Sequence, residues 1–215
     1  MTTTRDEHTT SLTLEERLAL RHGAERLEEE FEGICDRDTI DEYVHASYRS
    51  LVAHARIERF IPLLTERFAR QRLQALAKIE GRRTTGVPTI VFLDEHNSGR
   101  SQMGMAFINA DSAGELDAWS GGYEPADCLE DSVVQVMHEV GISLSGEYPK
   151  PWTPEVLRAA DLIVCTGTPA PIDLPAGVAV QHWDVPAPVQ RELPVVRAIR
   201  DEMRVRVDGL RASFA

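Results

Sequence analysis

A short apolar run, Thr89–Leu93, feeds into a polar segment from Asp94 to Ser101 and then into a stretch of helical character. An unbroken, partly β-branched run of this length fits a strand buried on both faces of a parallel sheet. A strand, a tight polar loop and a helix in that order aim several backbone N–H groups into one concavity, and the helix N-terminus adds positive potential. Gly99 permits tight curvature. Arg100 supplies a fixed fork of donors suited to a tetrahedral oxyanion. Asn97 and Ser101 are placed to brace the loop through side-chain hydrogen bonds. On spacing alone, an ordinary strand-to-helix turn carrying a surface arginine is an equal reading.

The rest of the C-terminal part repeats the alternation. Helices are predicted over Gln102–Ala110 and Ser132–Val140, and Leu162–Cys165 reads as a second buried strand. Val178–Val180 is a weaker strand. A last helix begins near Pro194 and carries Val195, Val196, Ile199, Met203, Val207 and Leu210 at helical spacing. Strands alternating with helices imply an α/β unit with a parallel, helix-covered sheet.

The texture changes at residues 81–88, and what precedes is helical. Thr13 and Glu16 have the form of a capping box at the start of a first helix. Asp38 is the expected cap of a second. A third runs from about Glu58 to Ile79, with Pro62 in its first turns and Gly81 past its end. Two domains are expected, 1–84 and 85–215. Phe60, Ile61, Leu64, Phe68, Leu73 and Leu76 spread over more of the third helix than a three-helix core can hide. Either the remainder packs on the second domain, or it is a surface for self-association through the N-terminal helices, which predicts a homodimer.

Charge narrows the function classes. The net charge of -12 argues against nonspecific binding to nucleic acid or anionic membrane, which needs clustered Lys and Arg. No apolar run approaches a membrane span, and the polar N-terminus lacks the apolar core of a signal peptide. Cys35, Cys128 and Cys165 are odd in number and widely spaced, so neither a disulfide framework nor a metal site is expected. The default setting is the cytoplasm. No cofactor is implied. Cys165 reads as a packed residue ending a strand, His96 as a brace of the loop, and Cys128 as an exposed loop residue.

Between His96 and Asp184 the chain resembles the low-molecular-weight tyrosine phosphatase superfamily, specifically its thiol arsenate reductase branch. The resemblance rests on His96-Asn97, Gly99-Arg100-Ser101-Gln102-Met103, Ser120-Gly121-Gly122, Glu124-Pro125-Ala126, the stretch Val140–Ser145, Pro149-Lys150-Pro151, Ala159-Ala160-Asp161 and Trp183-Asp184. It implies a flavodoxin-like sheet of four parallel strands with helices on both faces. Its oxyanion loop would be Glu95, His96, Asn97, Ser98, Gly99, Arg100 and Ser101, at the carboxyl end of the first strand. The N-terminal helices look like a three-helix dimerisation extension found on some members.

Three positions depart from the pattern. The family nucleophile, a cysteine, falls on Asp94; the second thiol falls on Thr168; the general-acid aspartate falls on Ala187. Arsenate reduction needs a thiolate and a second thiol to close a disulfide. Phosphomonoester hydrolysis needs a nucleophile and a proton for the leaving oxygen. A carboxylate about 4 Å from an incoming anion opposes it by roughly 4 kcal/mol per charge pair at an effective dielectric near 20. The same carboxylate can pair with Arg100 and accept the loop amides itself. The resemblance therefore implies a degenerate member without reductase or phosphatase turnover, its loop kept for structure, binding or regulation. An active enzyme using Asp94 or another residue such as Asp184, and a sensor for a small oxyanion (phosphate, arsenate or sulfate), stay open beside it.

Overall fold

The computed structural model describes residues 13–53, 61–82, 86–167 and 173–214. Three helices come first: α1 (Leu14–Glu30), α2 (Arg37–Val52) and α3 (Ile61–Ile79). They are followed by β1 (Thr89–Asp94), α4 (Arg100–Asp111), β2 (Asp117–Gly122), α5 (Asp131–Glu139), α6 (Pro154–Ala159), β3 (Leu162–Thr166), β4 (Ala179–Trp183) and α7 (Leu193–Ala212). The four strands form one parallel sheet in the order β2-β1-β3-β4. Among the described residues no helix is long and apolar enough to cross a membrane.

The local signals explain most element ends. Thr13 Oγ1 accepts from Glu16 N–H at 3.2 Å, and the Glu16 carboxylate accepts from Thr13 N–H at 2.8 Å, closing the expected capping box. The second helix is capped by Asp36 rather than Asp38: the Asp36 carboxylate accepts from Thr39 N–H at 2.8 Å, and Asp38 lies inside the first turn, where its charge still suits the helix N-terminus. Gly81 adopts φ +65° just after α3, the left-handed conformation that ends many helices. The start expected near Glu58 and the residue Phe60 lie outside the described residues.

Two elements carry no sequence signal of the expected kind. β2 reads Asp-Ala-Trp-Ser-Gly-Gly, without a β-branched run. Its glycines answer to close approach: a Cβ at Gly121 would sit 3.0 Å from the Trp152 backbone, and one at Gly122 2.8 Å from the Glu95 carbonyl oxygen. The six-residue α6 is too short to show a period.

The sheet has two unlike faces. On one, Ile90, Phe92 and Val164 pack with residues of α4, α5 and α7, among them Met103, Phe107, Met137, Val196 and Met203. On the other, Val91, Leu93, Trp119, Ile163 and Cys165 meet α6 and Ala75 of α3. The third helix is thus shared. Leu73 and Ala69 join Leu20, Leu27, Phe31, Ile40 and Val44 in the core of the helical unit, while Phe68 is buried with Leu51 and Tyr148, a residue of the α/β unit. Arg72 pairs with Glu155 at 2.5 Å and Lys78 with Asp161 at 2.6 Å across the same junction. Of the two sequence readings of the wide apolar arc, packing on the second unit accounts for Phe68 and the partly buried Leu64; Ala75, outside that arc, packs there as well. Burying a phenylalanine in this way stabilises the junction by roughly 1.5 to 3 kcal/mol.

Candidate oxyanion loop and its occupant

Asp94 is the last residue of β1, opposite Gly122 of β2, so it stands at the carboxyl edge of the sheet, where ligand sites of such folds lie. Its carboxylate turns back into the loop. One oxygen accepts from Asn97 N–H at 2.6 Å and the other from Ser101 N–H at 3.0 Å. Ser101 belongs to the first turn of α4, whose unpaired amides and dipole favour an anion here. The side chain is 7% exposed. The loop's amides, which the concavity would offer to a ligand, are thus partly engaged by a carboxylate of the chain itself.

Asn97 is the hub of the loop. It is fully buried and adopts φ +48°, a left-handed conformation that asparagine tolerates better than most residues. Its Nδ2 donates to Ser101 Oγ at 3.0 Å. Its Oδ1 accepts from Gln102 Nε2 at 3.1 Å and from Lys150 N–H at 3.0 Å. Gln102 Nε2 also lies within hydrogen-bonding distance of the Asn97 and Tyr148 carbonyl oxygens, at 3.0 and 3.1 Å. The segment from Gly122 to Glu130 clamps the loop from outside: Glu124 N–H donates to Glu95 O, Ala126 N–H to His96 O, and Glu130 N–H to Ser98 O. His96 Nδ1 lies 3.0 Å from the Glu124 carbonyl oxygen, the bracing role expected of it.

Gly99 is required less for a left-handed turn than for room, because a Cβ there would meet Pro188 Cγ at 2.7 Å. That contact brings the segment after β4 against the loop. Ala187, adjacent to Pro188, is exposed. Arg100 reaches the same segment: its Nη1 donates to the Val185 carbonyl oxygen at 2.6 Å, and its guanidinium fills the space a side chain would take at Gly167. Of the two contacts left open for Asp94, the carboxylate takes the loop amides and does not pair with Arg100, whose guanidinium turns to Val185. Arg100 Nε is buried with no partner among the described residues.

The structure brings Asp94, Asn97, Ser98 and Ser101 together in the interior and leaves Glu95 and His96 at the exposed rim. Thr168 lies outside the described residues. Cys165 is buried on β3 opposite Leu93, and burial pushes its thiol pKa up. Cys128 is exposed, as expected, and Cys35 is partly buried. No cluster of His, Cys, Asp and Glu able to hold a metal occurs among the described residues. Sequence reasoning missed Gln102, Lys150 and Val185 as loop partners. The bonds of Gln102 and Lys150 to Asn97 depend on how distant segments meet, and the Val185 carbonyl is a backbone group that no side-chain pattern marks.

Comparison with known proteins agrees with this geometry. Residues 89–170 match the family described as low molecular weight phosphotyrosine protein phosphatase, and residues 20–77 match a domain described as protein-tyrosine-phosphatase-like, N-terminal. A Halobacterium salinarum protein provisionally named an arsenate reductase is 33% identical over 129 residues, which cover 57% of this chain and 90% of that protein. The arsenate reductase of Brevibacillus brevis is 33% identical over 122 residues, 55% of this chain and 90% of its own. Among solved structures, the thioredoxin-dependent arsenate reductase of Corynebacterium glutamicum superposes with a TM-score of 0.81 at 31% identity, covering 91% of this chain and 96% of that one. With the four-stranded sheet, the loop at the end of β1 and these likenesses together, the chain belongs to the low-molecular-weight phosphotyrosine phosphatase family, among its arsenate reductase relatives.

Proposed function

We propose that this protein is a degenerate member of its family, in which Asp94 serves as a built-in anion, so that neither arsenate reduction nor phosphomonoester hydrolysis takes place. The observation that carries the reading is the pair of hydrogen bonds from Asn97 N–H and Ser101 N–H to the Asp94 carboxylate. An incoming oxyanion has to displace that carboxylate or approach it, and either is opposed by like charge. The chemistry agrees, since a carboxylate at position 94 supplies no thiolate to reduce arsenic and Ala187 has no proton to give. The test is direct. Purified protein with arsenate and a thioredoxin system forms no arsenite above a no-protein control, and p-nitrophenyl phosphate is not hydrolysed. Turnover in either assay refutes the reading. Asp94→Cys is expected to restore oxyanion binding with little hydrolysis.

One observation favours the sensor reading as a second choice. The buried, unpartnered Nε of Arg100 is a free donor beside the loop. Saturable phosphate or arsenate binding that Arg100→Ala abolishes selects it.

The same proposal includes a cytoplasmic homodimer formed through the N-terminal helices, with the domain division at residue 84. Its support is now Leu14 and Leu18, 71% and 45% exposed on the first turns of α1, and Leu63, 55% exposed on α3. Full-length protein should sediment at twice its 24.0 kDa chain mass, and Leu14→Glu with Leu18→Glu should halve that value. A monomer at micromolar concentration rules it out. Because α3 covers part of the sheet, the test needs the whole chain.

A further inference from the structure

Tyr148 belongs to the α/β unit, yet its side chain is anchored in the helical one. The ring is buried with Phe68 of α3 and Leu51 of α2, and its hydroxyl donates to the Leu64 carbonyl oxygen at 3.2 Å. Arg67, next to Phe68, stands 5.6 Å from the ring centre and donates to the Gly146 carbonyl oxygen. The main chain of the same segment faces the oxyanion loop. The Tyr148 carbonyl oxygen accepts from Gln102 Nε2 at 3.1 Å, and Lys150 N–H donates to Asn97 Oδ1 at 3.0 Å. Lys150 O accepts from Gly122 N–H at 3.0 Å, and Gly122 O from Trp152 N–H at 3.1 Å, which ties the segment to the end of β2. Residues 148–152 therefore touch α3 on one side and Asn97, the hub of the loop, on the other.

The link to the loop is divisible. Gln102 Nε2 has two protons and three oxygens in reach: Tyr148 O at 3.1 Å, Asn97 O at 3.0 Å and Asn97 Oδ1 at 3.1 Å. Its Oε1 is buried without a partner among the described residues. A shift of the Tyr148 carbonyl therefore changes what Gln102 gives to Asn97. Asn97 N–H is one of the two amides on the Asp94 carboxylate, and Asn97 Nδ2 donates to Ser101 Oγ, on the residue that supplies the other. We propose that residues 148–150 are a strut through which α3 holds the Asp94 loop in place, so that displacing α3 on the α/β unit frees the carboxylate from Asn97 and Ser101. The inference rests on the reading of Asp94 as the built-in anion and names what regulates it: the seat of the helical unit on the sheet. Such coupling is reciprocal, so an anion that displaces Asp94 loosens α3 in turn.

Amide hydrogen exchange of the full-length protein, followed residue by residue under native conditions, tests the strut. In the wild-type protein Asn97 and Ser101 N–H should exchange slowly, with the amides of β1 and β3 as the reference. Phe68→Leu opens space beside the Tyr148 ring and should speed both by about tenfold relative to that reference. Tyr148→Phe removes only the bond to Leu64 and should speed them by a smaller factor. Lys78→Met should leave the ratio unchanged, because it frees α3 at the Thr89 end of β1, away from Asp94. Slow exchange that Phe68→Leu and Tyr148→Phe both leave unchanged overturns the strut alone. So does a rise that Lys78→Met reproduces, or one that the sheet amides share. Fast exchange of Asn97 and Ser101 already in the wild-type protein overturns the built-in anion, and the strut with it.

Discussion

Two buried charges lie on opposite sides of Asn97 and are satisfied in opposite ways. Asp94 receives two backbone N–H groups at 2.6 and 3.0 Å from a loop and a helix N-terminus shaped to receive an anion. Lys150 has one hydroxyl at 3.3 Å and a carboxylate at 4.0 Å. Asn97 touches both, since its N–H donates to Asp94 and its Oδ1 accepts from Lys150 N–H. The contrast teaches that burial alone does not rank a charged residue. The fold provides two fixed backbone donors for the carboxylate, and for the ammonium only a hydroxyl and a carboxylate at longer range.

The largest expected effect falls on the well-satisfied charge. Asp94→Ala strands two buried amides and should lower unfolding free energy in urea by about 4 kcal/mol, with Asp94→Asn costing about half as much because one acceptor oxygen remains. A loss under about 1 kcal/mol would mean that water serves those amides equally well and that Asp94 is not the loop's built-in anion. Asn97→Ala comes next. It removes the bonds to Ser101, Gln102 and Lys150 and places a less tolerant residue at φ +48°, for an expected loss of about 3 kcal/mol.

The poorly satisfied charge should show itself through pH. Burial lowers the folded pKa of Lys150 to about 8, from an ordinary value of 10.5. Between those values the unfolded chain binds the proton that the folded protein has released, so stability rises with pH. From pH 8 to 10 the gain should be on the order of 2 kcal/mol, and Lys150→Met should lack it while remaining folded at pH 7. The gain is read as the difference between the two proteins, because the thiols of Cys165 and Cys35, raised by burial, act in the opposite sense in both from about pH 9. The window stops at pH 10 because burial raises the Tyr148 pKa in the same opposing sense. Equal slopes in the two proteins would show that the ammonium is better solvated than its surroundings suggest. The smallest effect is at the rim: His96→Ala should cost less than about 1 kcal/mol, because the ring makes one bond, to the Glu124 carbonyl, from a partly exposed position.

Much of the architecture was legible because it is local. The run Thr89–Leu93, the polar loop, the apolar period of α7 and the Thr13–Glu16 capping box each depend on neighbours within a few residues, so β1, α7 and the start of α1 could be placed in advance. The resemblance at Gly99–Met103 and its companions placed the loop at the end of the first strand. The choice of Asp38 over Asp36 as a cap failed by two residues, since both carry the same capping chemistry and only the helix start distinguishes them.

By itself, then, the sequence determined an α/β unit with a strand–loop–helix at its sheet edge, a carboxylate at the end of that strand, and a helical unit ahead of it. Only the tertiary structure decided that Asp94 takes the amides of Asn97 and Ser101 while Arg100 turns to Val185, that Asp-Ala-Trp-Ser-Gly-Gly is a strand, and that α3 serves two cores. The reason is the range of the forces involved. Capping and periodicity are set by residues adjacent in the chain, whereas the direction of a buried charge and the room left for a glycine are set by segments that meet only when the chain has packed.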